Sequence, residues 1–343
     1  MKLFKILVPL LALLILAGCA SGAEQSSNVN NNQNSGKATV PTTVPATQPT
    51  QEKVVTVDCL ISIVASNGVE EYTGTIRYEA DGIHIVPDVL LDDSETIVSP
   101  DGRILCILRH NEEGVLYQRI EYKYNDKGQQ TEYLYYYLDE DRLAHGSIYE
   151  YNEAGLLVRV LTYYGSSDTA KPTTEYSYDE NGNLILTSHT NTEGLNNWRY
   201  VYTYDDQGRM KTATTYFLQN SDKPHVQLGY YTYYYDESGL LVKKIWTDVT
   251  KLYFVHNDFY YSYNEADLLT EIKEVDKRGN VDELVTYTYD EQNRLISMSD
   301  VGDDYYYATT YIYGQIELPE SLAEDAKVWS ETGLINYDVI DAG

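Results

Sequence analysis

Side chains able to do chemistry are plentiful in this chain, and their spacing excludes most of what they could do. The histidines at His84, His110, His145, His189, His225 and His256 stand apart. None has the His-x-His or His-Glu-x-x-His spacing that sets two ring nitrogens on one metal. Gly-x-Ser-x-Gly and phosphate-loop patterns are absent. Carboxylates abound, so a glycosidase-like acid pair is available in composition. Most of them recur at turn columns in copy after copy, however, whereas a catalytic pair should be singular. Asp179-Glu-Asn-Gly-Asn183 has the start of a calcium loop without its distal bidentate glutamate. No catalytic residue, cofactor or metal site is expected. The aromatic side chains offer a different chemistry. The chain has 36 Tyr against 4 Phe and 3 Trp. Exposed rings at regular spacing suit sugar faces, and Trp198, Trp246, Tyr178, Tyr204 and Tyr235 are the candidate stacking positions, with packing as their plainer role. Cys59 and Cys106 sit in apolar strand-like runs. An exported chain permits a disulfide between them, and buried free thiols are the plainer alternative.

The start of the chain sets the address. Lys2 and Lys5 precede an apolar run from Ile6 to Ala17, too short to span a bilayer comfortably and suited to a signal-peptide core. Leu16-Ala17-Gly18-Cys19 resembles the lipobox of bacterial lipoproteins. That resemblance implies cleavage before Cys19 and a diacylglyceryl group on its sulfur, a two-chain anchor that holds stably to a membrane. Residues 1–18 are read as the signal peptide. Residues 19–53 are read as the lipidated cysteine and a Ser/Asn/Thr/Pro tether, too polar to offset its ordering entropy and able to span roughly 30–35 Å. The expected location is the extracytoplasmic face of a cell membrane, with a Gram-positive surface favoured. The net charge of −28 excludes nucleic acid as a partner and leaves an extracellular glycan or protein.

An internal repeat dominates the rest. Tyr-x-Tyr followed by Asp or Asn occurs at Tyr122–Asn125, Tyr149–Asn152, Tyr176–Asp179, Tyr202–Asp205, Tyr233–Asp236, Tyr261–Asn264 and Tyr287–Asp290, the second tyrosines lying 26 to 31 residues apart. Tyr-x-Tyr puts two rings on one face of a strand. The Asp or Asn opens a turn by accepting bonds from backbone amides ahead of it. Three positions on stand Gly128, Gly155, Gly182, Gly208 and Gly239, then Asp267 and Asn293. These are the residue types that best tolerate a left-handed backbone, so the column predicts a positive φ in every copy, as in a hairpin loop with a bulge. Weaker copies at Arg77–Ile83 and Ser99–Ile104 bring the count to about nine hairpins.

The motif resembles the YD repeat of the RHS family, closely at Tyr204-Asp205-Asp-Gln-Gly208-Arg209-Met210 and, but for the glycine, at Tyr289-Asp290-Glu-Gln-Asn293-Arg294-Leu295. Gly155 and Gly239 are followed by leucine instead of arginine. The resemblance implies a long sheet ribbon, which in large members winds into a hollow shell around a toxin domain. Nine copies are expected to be too few for such closure. The predicted fold is therefore all-β, with tandem antiparallel hairpins over residues 54–314 forming an elongated twisted sheet or β-solenoid. Residues 315–343 are read as a cap containing a short helix, Pro319 to Trp329, with Leu322, Ala326 and Trp329 on one face. That helix and the alternating run Val55, Val57, Cys59, Ile61, Ile63 are expected to cover the two open edges. The tyrosine hydroxyls are expected to stay in water. The leading functional expectation is a non-catalytic surface module binding a glycan or protein. The alternative is a structural spacer or shell-derived scaffold, and a glycan-active enzyme is third.

Overall fold

The computed structural model describes residues 53–88, 94–111, 113–138, 142–164, 169–191, 196–218, 224–250 and 256–333. The signal peptide, Cys19 and the tether lie outside the described residues. The strands run in chain order as β1 (Val54–Ser66), β2 (Glu71–Glu79), β3 (Gly82–Asp88), β4 (Ser94–Val98), β5 (Ile104–His110), β6 (Leu116–Tyr124) and β7 (Gln130–Tyr137). They continue as β8 (Arg142–Tyr151), β9 (Leu157–Tyr164), β10 (Lys171–Tyr178), β11 (Leu184–Thr190), β12 (Asn196–Tyr204), β13 (Met210–Phe217) and β14 (Val226–Tyr235). The last are β15 (Leu241–Asp248), β16 (Asp258–Tyr263), β17 (Leu269–Val275), β18 (Val281–Tyr289), β19 (Leu295–Gly302) and β20 (Tyr306–Pro319). Helix α1 (Glu320–Val328) and a π-helical turn (Trp329–Gly333) follow. β20 runs past the expected domain boundary at residue 314.

Every strand pairs antiparallel with its neighbours in sequence, and β1 pairs with β20 from Val54↔Pro319 to Ser66↔Ala308. The twenty strands therefore form a closed barrel, not the open sheet or solenoid expected from the copy number. The nine hairpins are β2–β3 through β18–β19. The two end strands, expected to cover open edges, bond each other and remove both edges, which is the complete solution to edge exposure. At about 4.8 Å per strand the ring has a circumference of about 96 Å, or a diameter of about 30 Å if circular.

The repeat supplies the curvature that closure needs. In eight hairpins the return strand carries an extra residue just after the turn: Ser177 faces Leu186 while Tyr178 faces Leu184, and Thr203 faces Thr212 while Tyr204 faces Met210. The same shift occurs at Val98, Tyr124, Tyr151, Tyr235, Tyr263 and Tyr289. A bulge bends its strand and increases local twist, and repeating it at one end of eight of the nine hairpins curls the sheet in one direction.

The tyrosine-bearing face is the buried one. Tyr78, Tyr202, Tyr287 and Tyr311 are all buried, whereas Thr203, Thr288, Thr310 and Ile312 between them are exposed. A ring can bury by its own side chains only the face that is concave. The convex face carries Thr203–Thr212 and Thr286–Ser299 hydroxyl pairs at 2.7 Å and the Lys123–Glu132 and Arg159–Glu150 ion pairs. One core cluster joins the seam strands to the helix: Leu60, Ile63, Ile76, Ile83, Val285, Leu295, Tyr311, Ala326 and Trp329. The helix thus packs where expected in sequence, against β1, β2 and β20, but at a seam and not at an edge. β1 itself has a register shift between Leu60 and Ser62, so the single alternating face read from Val55 to Ile63 is broken there. Beside this shift, the Leu60 N–H donates to Ser330 Oγ at 2.7 Å, and Ser330 Oγ–H donates to the Ala326 carbonyl at 2.7 Å.

Candidate functional site

Each repeat builds the same local arrangement. Asp205 Oδ1 accepts from the Gln207 and Arg209 amides at 2.9 Å, the Gly208 amide donates to the Asp205 carbonyl, and the Asp205 amide donates to the Arg209 carbonyl. Gly208 sits at φ 78°, and Asp267 and Asn293 hold the same position at φ 61° and 62°, as the column predicts. The free oxygen of the turn acid takes the next side chain: Arg209 Nε donates to Asp205 Oδ2 at 2.8 Å, and Arg294 Nε to Asp290 Oδ2 at 2.7 Å. These guanidinium groups then lie over the second tyrosine of the following repeat, Arg209 over Tyr235 at 4.6 Å and Arg294 over Tyr313 at 4.1 Å. Each carboxylate is held below its usual range by the hydrogen bonds it accepts, which for Asp290 outweigh its burial.

The second tyrosine completes the stitch. Tyr124, Tyr151, Tyr178, Tyr204, Tyr235, Tyr263, Tyr289 and Tyr313 each donate their hydroxyl to the carbonyl of the residue that opens the neighbouring return strand, at 2.6 to 2.9 Å. Tyr78 does the same to Leu60 at the seam. The expectation that these hydroxyls stay in water is corrected: they satisfy backbone acceptors where the bulge spreads the ladder, which a phenylalanine could not do.

The concave wall near the end opposite these turns gathers a second set of polar groups. Lys244, Phe259, Glu274 and Glu283 are successive cross-strand neighbours on β15 to β18. Lys244 Nζ lies 3.9 Å from the Phe259 ring centre, and burial lowers its pKa while the Glu274 charge opposes that. Asn257 Nδ2 donates to Glu274 at 2.9 Å and to Asp282 at 2.6 Å. Burial, the Asp300 charge and a hydrogen bond shared with Glu274 push Glu283 up to about 7. Burial also raises Asp300, against bonds from Tyr305 and Glu283. This half-buried grouping of acids thus favours the protonated form of Glu283 toward neutral pH. Sequence spacing hides it, because its acids lie on three different strands.

Of the sequence-predicted positions, Tyr178, Tyr204 and Tyr235 are the stitching tyrosines, already engaged. Trp246 is buried against His256 at 4.3 Å and Tyr231 at 4.9 Å. Trp198 packs on Phe217 at 4.7 Å, directly across the β12–β13 ladder. Cys59 and Cys106 are free thiols, the plainer of the two alternatives, with burial raising both and holding Cys106 at about 11. The sequence reading missed one convergence, Glu79, Asp81 and His84, whose ligand atoms lie within 4.8 Å of one another. Among the described residues no helix is long and apolar enough to cross a membrane.

A closed antiparallel barrel of stitched Tyr-Asp hairpins defines a shell scaffold. The sequence matches the Teneurin YD-shell family over residues 105–325, and the chain belongs to that family. No curated relative matches it. Among solved structures it is similar to a TcdB2–TccC3 complex, at 13% identity and TM-score 0.34, covering 75% of this chain and 15% of that one. A porin-like protein from Bacteroides uniformis aligns at 12% identity and TM-score 0.36, covering 74% of this chain and 98% of that one. The Photorhabdus luminescens Tc holotoxin pore aligns at 11% identity and TM-score 0.26, over 71% of this chain and 16% of that one. The chain thus spans only 15% and 16% of these two Tc chains.

Proposed function

We propose that this chain is a membrane-tethered structural shell, a small non-catalytic barrel held off a bacterial surface by lipid on Cys19 and the tether of residues 20–53. The observation that carries the scaffold reading is the use of the tyrosines. The hydroxyls of the repeat's second column bond backbone carbonyls and their rings face the concave wall, so the residues best suited to a ligand are engaged in closing the barrel. This places the alternative of the sequence reading ahead of the glycan- or protein-binding module. The binding reading keeps two separate supports, the partly exposed Trp198–Phe217 pair on β12–β13 and the Phe259–Glu274 pair on β16–β17.

Two measurements test the proposal. Glycan arrays and cell-wall pull-downs with the mature chain are expected to show no saturable retention. Retention lost on Trp198→Ala would replace the scaffold with a binding module. Fractionation of cells is expected to place the chain with membranes and the Cys19→Ser variant in the medium. Equal membrane association of both would remove the lipid anchor.

A further inference from the structure

We propose that Glu79, Asp81 and His84 form a divalent-cation site of the zinc type, set on the turn between β2 and β3. The turn differs from the other eight. Glu79 faces Gly82 directly, so the loop is a tight two-residue reversal without the Asp-to-Gly spacing used elsewhere. That tightness brings the strand end, the loop tip and the return strand together. The oxygens of Glu79 and Asp81 and a ring nitrogen of His84 lie within 4.8 Å of one another, near enough to converge on one ion.

The imidazole is prepared for this role. The His84 side chain is 7% exposed, while Glu79 and Asp81 are 46% and 69% exposed, so a fixed nitrogen stands behind two carboxylates that solvent can reach. Nδ1 is 2.9 Å from Glu95 Oε1 on β4, and Nε2 faces Asp81 Oδ1 at 3.1 Å. A carboxylate on one ring nitrogen fixes the tautomer that offers the other to a metal. Arg77 Nη2 holds the same Glu95 oxygen at 2.8 Å, which keeps Glu95 in that supporting place. Arg77 Nε also lies 3.4 Å from Glu79 Oε1, a contact that Glu79 gives up to bind an ion. One nitrogen and two oxygens leave a coordination position open for water, and that donor set suits Zn2+ or Mn2+ over Ca2+, which takes oxygens alone. The ion would clasp β2, β3 and, through Glu95, β4, beside the β1–β2 pairing next to the seam. His84 is on the face opposite Tyr78, so this site is independent of the concave wall.

Calorimetric titration of the mature chain with Zn2+, alongside Mn2+ and Ca2+, tests the assignment. One equivalent of Zn2+ is expected to bind and to raise the melting temperature. The exposed double variant Glu79→Gln, Asp81→Asn is expected to keep the metal-free melting temperature and lose both effects. Glu95→Gln, which weakens both the bond that orients the imidazole and the Arg77 contact, is expected to weaken Zn2+ by about tenfold. Undiminished Zn2+ binding by the double variant would assign the metal to the thiols or the general acidic surface and overturn the site. So would Ca2+ binding tighter than Zn2+, since the imidazole would then have no part.

Discussion

A tyrosine hydroxyl is the smallest unit that distinguishes this shell from an ordinary hydrophobic barrel. Tyr204 donates to the Leu184 carbonyl at 2.8 Å, and Tyr204→Phe removes that bond while keeping the ring. A loss of about 1 kcal/mol in urea unfolding is expected, the net worth of one such bond at a half-buried site. Tyr216→Phe on the convex face, directly across from Arg199, should change almost nothing, and equal losses from both variants would contradict the stitching role. The glycine column gives a second residue-scale outcome. Gly182 has φ 84° and only Leu156 at 3.8 Å near a would-be Cβ, so the backbone and not the space sets the cost of substitution. Gly182→Asn should be close to neutral, because Asn293 already occupies this position at φ 62°. Gly182→Val should cost about 1–2 kcal/mol or more. This column was legible in the sequence because positive φ restricts residue type. The hydroxyl's partner was not, because a carbonyl has no residue code.

Elements show where local pattern stops being informative. The nine hairpins follow from Tyr-x-Tyr-Asp and the glycine column, and the helix from Pro319 with its acidic first turn. The shift in β1 at Leu60 leaves no such mark, because it is set by a partner strand at the other end of the chain. Ser330 accepts from the Leu60 amide beside that shift, so Ser330→Ala should leave a buried Leu60 amide unsatisfied and cost about 1–3 kcal/mol, read as a lower denaturation midpoint. The concave acids were equally hidden, lying across β17, β18 and β19. Glu283, at about 7, carries its proton further up the pH scale folded than unfolded. Its stabilising contribution is therefore complete below the ordinary glutamate range and lost as pH rises through 7. Thermal unfolding from pH 5 to pH 8 should show a decline on the order of 1 kcal/mol from this site, after allowance for solvent screening. Glu283→Gln should flatten that decline, and an unchanged slope would show that Glu283 does not hold the proton.

At the scale of the whole molecule, copy number alone misled. Nine hairpins treated as flat units make a ribbon, but a bulge in eight of them adds the same bend each time, and two further strands complete a ring of twenty. Closure also leaves no edge to pair with another chain, and each backbone row continues through the seam. The seam is thus the central claim. Thr56 and Glu317 are direct partners across it, exposed on both sides. Paired residues have Cα atoms about 4.5–5.5 Å apart, within disulfide reach, whereas the ends of an open twenty-strand sheet would lie about 90 Å apart. Mild oxidation of the Thr56→Cys, Glu317→Cys variant should give an intramolecular disulfide joining those two peptides by mass spectrometry. Failure to form it in the folded protein, with both thiols reactive, would contradict a closed shell.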